Sequence, residues 1–148
     1  DLAFKKHKLM LVDSYIKRRI MTKMRREPLV KSPTLSIKVN KLNKAGCNVS
    51  MANLDCCDFD KLSSLFRKFK PDAVIHFAEL PSAPYSMISN KEAWNTIENN
   101  LHTTLNLIWC VKNINKNCHI IKLGTHQLIH DESDKETNSR HQNSNENH

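Results

Sequence analysis

Several short stretches of this chain end in side chains able to do chemistry. Leu9-Met10-Leu11-Val12 closes on Asp13. An acid at the end of such a strand accepts hydrogen bonds from ribose hydroxyls in dinucleotide-binding folds. It can equally cap the turn that follows. The residues alone leave both roles open. Asp55 precedes the adjacent thiols Cys56 and Cys57. Neighbouring residues on a strand point to opposite faces, and no second cysteine pair exists to complete a metal site. Cys118 can be drawn with His119, His126 and His130 as a zinc set, but the spacing fits no common zinc pattern. Lys17-Arg18-Arg19 and Lys23-Met24-Arg25-Arg26 form a basic block. It reads as a solvated helix face or as an electrostatic footprint for phosphates. No aromatic or RNA-binding motif accompanies it, which argues against nucleic acid.

These residues need elements to position them. The turn Pro71-Asp72 opens onto Ala73-Val74-Ile75-His76-Phe77-Ala78, a run too short for a helix and bounded by turns. Such a run predicts a strand buried on both faces, as in parallel sheets. Before it, Phe59, Leu62, Leu65, Phe66 and Phe69 have the spacing of a one-faced helix. After it, Trp94, Ile97, Leu101, Leu105, Ile108 and Val111 predict a long amphipathic helix over 91–115, with Trp94 and Trp109 as core or flank residues. Further strands are predicted at 9–12, 48–53 and 119–123. Residues 27–40, with Pro28 and Pro33, read as an irregular connection. Alternating strands and helices predict parallel pairing through right-handed crossovers.

With 148 residues, the chain allows one domain with a sizeable core. Its net charge of +8 is uneven: residues 1–70 hold 17 Lys/Arg against 6 Asp/Glu, and 71–148 hold 6 against 9. Five cysteines without a CxxC favour reduced thiols in an intracellular, soluble setting, cytoplasm or plastid. No apolar run reaches the length of a membrane span. The last eighteen residues, Asp131 to His148, carry no apolar side chain, so residues 126–148 are expected to form a disordered polar tail behind a domain at 1–125.

The segment His76 to Ile88, HFAELPSAPYSMI, resembles the fourth-strand segment of the UDP-sulfoquinovose synthase family. That family belongs to the extended short-chain dehydrogenase/reductase superfamily, the NAD-dependent epimerases and dehydratases. Ser82-Ala-Pro-Tyr-Ser-Met-Ile88 is the most specific part. Cys118-His119-Ile120-Ile121-Lys122-Leu123-Gly124-Thr125 is similar to the family's fifth strand. Asn99-Asn100-Leu101-His102-Thr103-Thr104-Leu105-Asn106 is similar to its intervening helix.

The resemblance implies a partial Rossmann-like, doubly wound parallel sheet that takes NAD and a nucleotide sugar, UDP-glucose, to be joined to sulfite. It implies Asp13 as the ribose acid, with Arg18 and Arg19 reaching the adenosine half. Asp55 and Cys56 would bracket the adenine. Phe77 and Ala78 would line the cofactor, Asn100 would help to hold the active site, and Thr125 would carry the catalytic hydroxyl.

The chain departs from the family at Leu54, Thr103 and Leu80-Pro81. Its two glycines, at 46 and 124, cannot form the Gly-rich phosphate turn. Tyr15 and Tyr85 are followed four residues on by Arg19 and Ser89, so neither forms Tyr-x-x-x-Lys. The expectation is therefore a fragment or degenerate relative that lacks the first strand and is inactive alone. A homo-oligomer is possible for it. A non-catalytic α/β binding module with a basic amino-terminal region is the competing reading.

Overall fold

The computed structural model describes residues 7–26, 33–80 and 84–123. In chain order the elements are β1 (Lys8–Asp13), α1 (Ile16–Lys23), α2 (Leu35–Lys44), β2 (Asn48–Asn53), α3 (Phe59–Phe69), β3 (Ala73–His76), a 3₁₀ turn (Tyr85–Met87), α4 (Asn90–Ile114) and β4 (His119–Lys122). The fold is α/β and Rossmann-like, with all strand pairs parallel. β1 pairs with β2 from Lys8↔Asn48 to Asp13↔Asn53. β3 pairs with β4 from Ala73↔His119 to His76↔Lys122. The expected sheet is thus two separate two-stranded ladders. Among the described residues no strand stands between β1 and β3, so nothing joins them.

Each ladder has its own core. Val39, Cys47 and Val49 are buried with Leu9, Leu11, Leu35, Leu42 and Met51 packed around them, so α2 covers the first. Leu62, Phe66, Leu107, Cys110 and Cys118 bury the second beneath α3 and α4. Each large apolar side chain so buried contributes roughly 1.5–3 kcal/mol. Local chemistry fixes the helix ends. The Asp58 side chain accepts from the Lys61 amide at the start of α3. The Thr34 hydroxyl accepts from the Ile37 amide at the start of α2. After α2, Gly46 takes φ +86°, the left-handed conformation that suits glycine. Asn43 then exchanges two hydrogen bonds with Val49, 2.8 and 2.9 Å, setting the helix against its strand.

Three expectations need correction. Residues 35–40 are the first part of α2 and not an irregular connection: Thr34 caps a helix whose Leu35, Val39 and Leu42 recur at spacings of four and three. β3 is not buried on both faces. His76 is buried and Val74 half-buried, but Ile75 is exposed, as is Ile121 beside it, because no described element covers that side. The apolar stripe of α4 points outward. Thr96, Thr103, Leu107 and Cys110 form its buried face, while Trp94, Ile97, Leu101, Leu105, Ile108 and Trp109 are exposed. Thr125, the tail at 126–148 and residues 27–32 lie outside the described residues.

Candidate functional site

The strand ends on one side of the fold gather the acids. β1 and β2 are parallel and in register, so Asp13 ends the first strand opposite Asn53, with Asp55 two residues beyond. The Leu54 amide donates to the Asp13 carbonyl at 3.3 Å, which stitches the two ends together. One carboxylate oxygen of Asp13 accepts from the Tyr15 amide at 2.8 Å. The capping role open to this residue in the sequence is therefore filled. Among the described residues its second oxygen has no hydrogen-bond partner. Asp55 likewise accepts from the Cys57 amide at 2.9 Å.

Between these acids sits Cys56. Burial first, then the charges of Asp55 and Asp13 and the nearby Cys110, push its thiol up to about 11. Cys57 is pushed to about 11 by burial and by Asp55. Both stay protonated thiols at neutral pH, so they act as small apolar walls and not as nucleophiles.

α4 anchors the loops around this corner. The Asn106 side chain donates to the carbonyls of Cys56 and Cys57, both at 2.9 Å. Asn99 lies two helical turns earlier and receives the Cys57 thiol through its carbonyl and its side chain. Asn100 grips the other loop. Its Oδ1 accepts from the Leu80 amide at 2.8 Å and its Nδ2 donates to the Leu80 carbonyl at 3.0 Å. A cleft of about 480 Å³ runs between α1, the β2–α3 loop and α4, with Arg19, Lys23, Asp55, Cys57, Leu80 and Asn99 on its walls.

Of the expected site residues, Asp13, Asp55 and Cys56 come together, and Asp55 faces the cleft that Leu80 borders. Asn100 holds the loop after β3. Phe77 and Ala78 lie at the end of β3, Phe77 largely exposed. Arg18 turns aside: its guanidinium donates to the Pro33 carbonyl at 3.3 Å and lies 5.9 Å from the Tyr15 ring centre. Arg19 lines the cleft instead, while donating to the Ser14 carbonyl. Sequence reasoning gave no role to Asn99 and Asn106. Their signal was a pair of asparagines seven apart on one helix face.

His76 was also passed over. It is buried at the end of β3 with Nε2 3.4 Å from the Thr104 hydroxyl. Burial lowers its pKa, Lys122 adds to the lowering and Glu79 opposes it. Glu79 and Lys122 themselves form an ion pair beside it.

The acids fit the adenosine half of NAD: a carboxylate oxygen at a strand end that has no partner among the described residues, and a small thiol wall beside it. For the pyrophosphate the described residues offer no matching cradle, because no Gly-rich turn opens a helix among them.

A family model described as the NAD dependent epimerase/dehydratase family matches residues 14–147. The chloroplastic UDP-sulfoquinovose synthase of Spinacia oleracea is 34% identical over 128 residues, 84% of this chain and 26% of that protein. The UDP-sulfoquinovose synthase of Sulfolobus acidocaldarius is 31% identical over 125 residues, 84% of this chain and 32% of that protein. The chain thus spans 26–32% of the length of these curated relatives. A crystal structure of UDP-glucose-4-epimerase from Stenotrophomonas maltophila, with bound NAD and formylated UDP-arabinopyranose, matches with a TM-score of 0.53 at 18% identity. It covers 81% of this chain and 38% of that one, a likeness of fold alone. By the family match across nearly all its length, this chain belongs to the NAD dependent epimerase/dehydratase family.

Proposed function

We propose that this chain is the adenosine-side portion of an enzyme of the UDP-sulfoquinovose synthase kind, one that joins UDP-glucose and sulfite with NAD as cofactor. When bound, NAD supplies a reversible hydride acceptor. This chain's residues would receive its adenosine end: Asp13 through the ribose hydroxyls, Asp55 and Cys56 beside the adenine, Asn100 by holding the loop next to it. The observation that carries the reading is the convergence of Asp13, Asp55 and Cys56 at the ends of two parallel strands. Without a phosphate turn or a Tyr-x-x-x-Lys pair, the chain alone holds NAD weakly and does not turn over. On the same reading, Thr125 carries the hydroxyl near the sugar, and the chain self-associates.

Calorimetry of the purified chain with adenosine monophosphate and with NAD tests this, beside a product assay with UDP-glucose and sulfite. The expected result is similar weak binding of both nucleotides, with Kd of about 1 mM, weakened further by Asp13→Ala, and no product. Micromolar NAD binding would mean that another segment cradles the phosphates. Product would overturn the inactive reading.

The competing reading is a non-catalytic module that binds anions through α1. It is favoured by one feature: α1 buries none of its residues and presents Lys17, Arg18 and Arg19 to solvent. Nucleotide binding that survives Asp13→Ala but fails with the α1 charges removed would support it.

A further inference from the structure

The positive charge of this chain is concentrated in one stretch. Residues 14–54 hold 10 Lys/Arg against one acid, Glu27, while the rest of the chain holds 13 against 14. The excess charge of the whole molecule thus comes from the segment that forms α1, α2 and β2. Within it, α2 carries Lys38, Lys41 and Lys44, all three exposed, and no acid.

α2 packs Leu35, Val39 and Leu42 on the first ladder, so its opposite face is open to solvent. Ile37, Lys41 and Lys44 follow at spacings of four and three along that face. They form a stripe about 10 Å long. Ile37 is 46% exposed. Two features of this face are unfavourable in water. Lysines three residues apart repel one another, and an isoleucine stands bare among them. The helix dipole favours cations in the last turn, which accounts for Lys41 and Lys44. It accounts neither for Lys38 nor for Ile37.

One kind of surface relieves both features. A bilayer with anionic headgroups attracts the lysines and takes an apolar side chain in at its acyl boundary. The phosphates of a nucleic acid would meet the lysines but leave Ile37 in water. Nor does α2 carry an aromatic ring on which bases could stack. α1 adds to the field around the first ladder. Lys17, Arg25 and Arg26 are exposed, and the Arg18 bond to the Pro33 carbonyl holds α1 beside the start of α2.

We propose that the outer face of α2 docks on an anionic membrane. The helix lies flat on the bilayer, with Ile37 inserted at the acyl boundary and Lys38, Lys41 and Lys44 on the headgroups. Attachment is peripheral and reversible, since no helix among the described residues is long and apolar enough to cross a membrane. The face shares no residue with Asp13, Asp55, Cys56 or the cleft beside them, so docking leaves the nucleotide site open.

Co-sedimentation of the full chain with vesicles tests this, with far-UV circular dichroism as the check on folding. One set of vesicles is phosphatidylcholine alone, and the other is phosphatidylcholine and phosphatidylserine in equal parts. The chain should bind the second set, not the first, and should be released by molar salt. Each lysine held at such a surface strengthens binding about fivefold, so Lys38→Gln, Lys41→Gln and Lys44→Gln together should weaken it about 100-fold. Ile37→Gln should weaken it about tenfold, through lost apolar burial. The same variant should leave any binding to a single-stranded oligonucleotide unchanged. No binding to either vesicle, equal binding to both, or full binding by Ile37→Gln would each overturn the proposal. Tighter binding to the oligonucleotide than to the anionic vesicles would overturn it in favour of nucleic acid. Displacement from the vesicles by adenosine monophosphate would overturn it in favour of the cleft.

Discussion

Asn100 and Leu80 hold each other by two hydrogen bonds, the side-chain amide matched to both backbone groups of the leucine. Leu80 is buried, so its amide and carbonyl have little access to water as a substitute. Asn100→Ala should cost about 1–3 kcal/mol, the penalty of unsatisfied buried polar groups. Asn100→Asp keeps the acceptor for the Leu80 amide and loses the donor to its carbonyl, so it should fall between. Urea midpoints and protease cleavage near Leu80 check this. Equal midpoints for all three proteins would refute it.

The thiols of Cys56 and Cys57 should be slow to react. A pKa of about 11, against an ordinary value of 9.0, lowers the thiolate fraction near neutrality about 100-fold. Iodoacetamide labelling followed by mass spectrometry should show this lag and its disappearance in urea. The same shift makes the folded chain favour the protonated thiols. Its contribution to stability is therefore complete below pH 9.0 and is lost as pH rises toward about 11. Fast labelling of Cys56 in the folded chain at neutral pH would contradict it.

His76 works in the opposite direction on the pH scale. Burial holds its pKa below 6.5, with Lys122 and Glu79 the charged groups beside it and Thr104 its hydroxyl neighbour. Its contribution to stability is present above pH 6.5 and falls away as the medium is acidified through the lowered value. The urea midpoint should drop on acidification, and His76→Gln should flatten that drop. An identical acid limb in the variant would rule this out.

Lys70 ends α3 in the left-handed conformation, φ 50° and ψ 65°. A side chain there is strained, and glycine is not. Lys70→Gly should stabilise the chain by about 0.5–1 kcal/mol, even after glycine's greater freedom in the unfolded state. A rise in the thermal midpoint would register it, and no change would mean that the strain is relieved elsewhere.

The two ladders have separate cores, one under α2 and one under α3 and α4. The chain should therefore unfold over a broad range, with the α2 side opening first because its core is smaller. Near-UV and far-UV signals followed through a urea titration should not coincide. A single sharp transition by both probes would count against independent cores.

Where sequence and structure agree, a strong local period decided the outcome. Phe59, Leu62, Phe66 and Phe69 specify α3 at its observed limits, and the short runs at 48–53 and 119–122 specify strands. α2 escaped because Pro33 and its many lysines drew attention from the cap at Thr34 and the sparse Leu35, Val39 and Leu42. The exposed side of Ile75 was not legible either. An apolar run reveals that a strand wants cover, not whether cover is present. In α4 two apolar faces share one helix. The more regular of them, through Trp94 and Leu101, faces outward, while the buried face includes two threonines and a cysteine. At the site, Asp13 was legible as an acid at a strand end. Arg18 and Arg19 were separable only in three dimensions, where a helix sends neighbours about 100° apart.

Among the described residues each strand has one partner only, and the consequence can be read on the clock of amide exchange. In a parallel ladder, the N–H and C=O of one residue face the neighbouring strand, and those of the next residue face away. The His119 amide, which donates to the Asp72 carbonyl at 2.9 Å, sits on the protected beat of β4. Ile121 should share it, while Ile120 and Lys122 should exchange quickly in heavy water. The same alternation should run along β1, β2 and β3. Any added strand that pairs with β1 or β3 would then announce itself amide by amide, by silencing the fast beat on the edge it occupies.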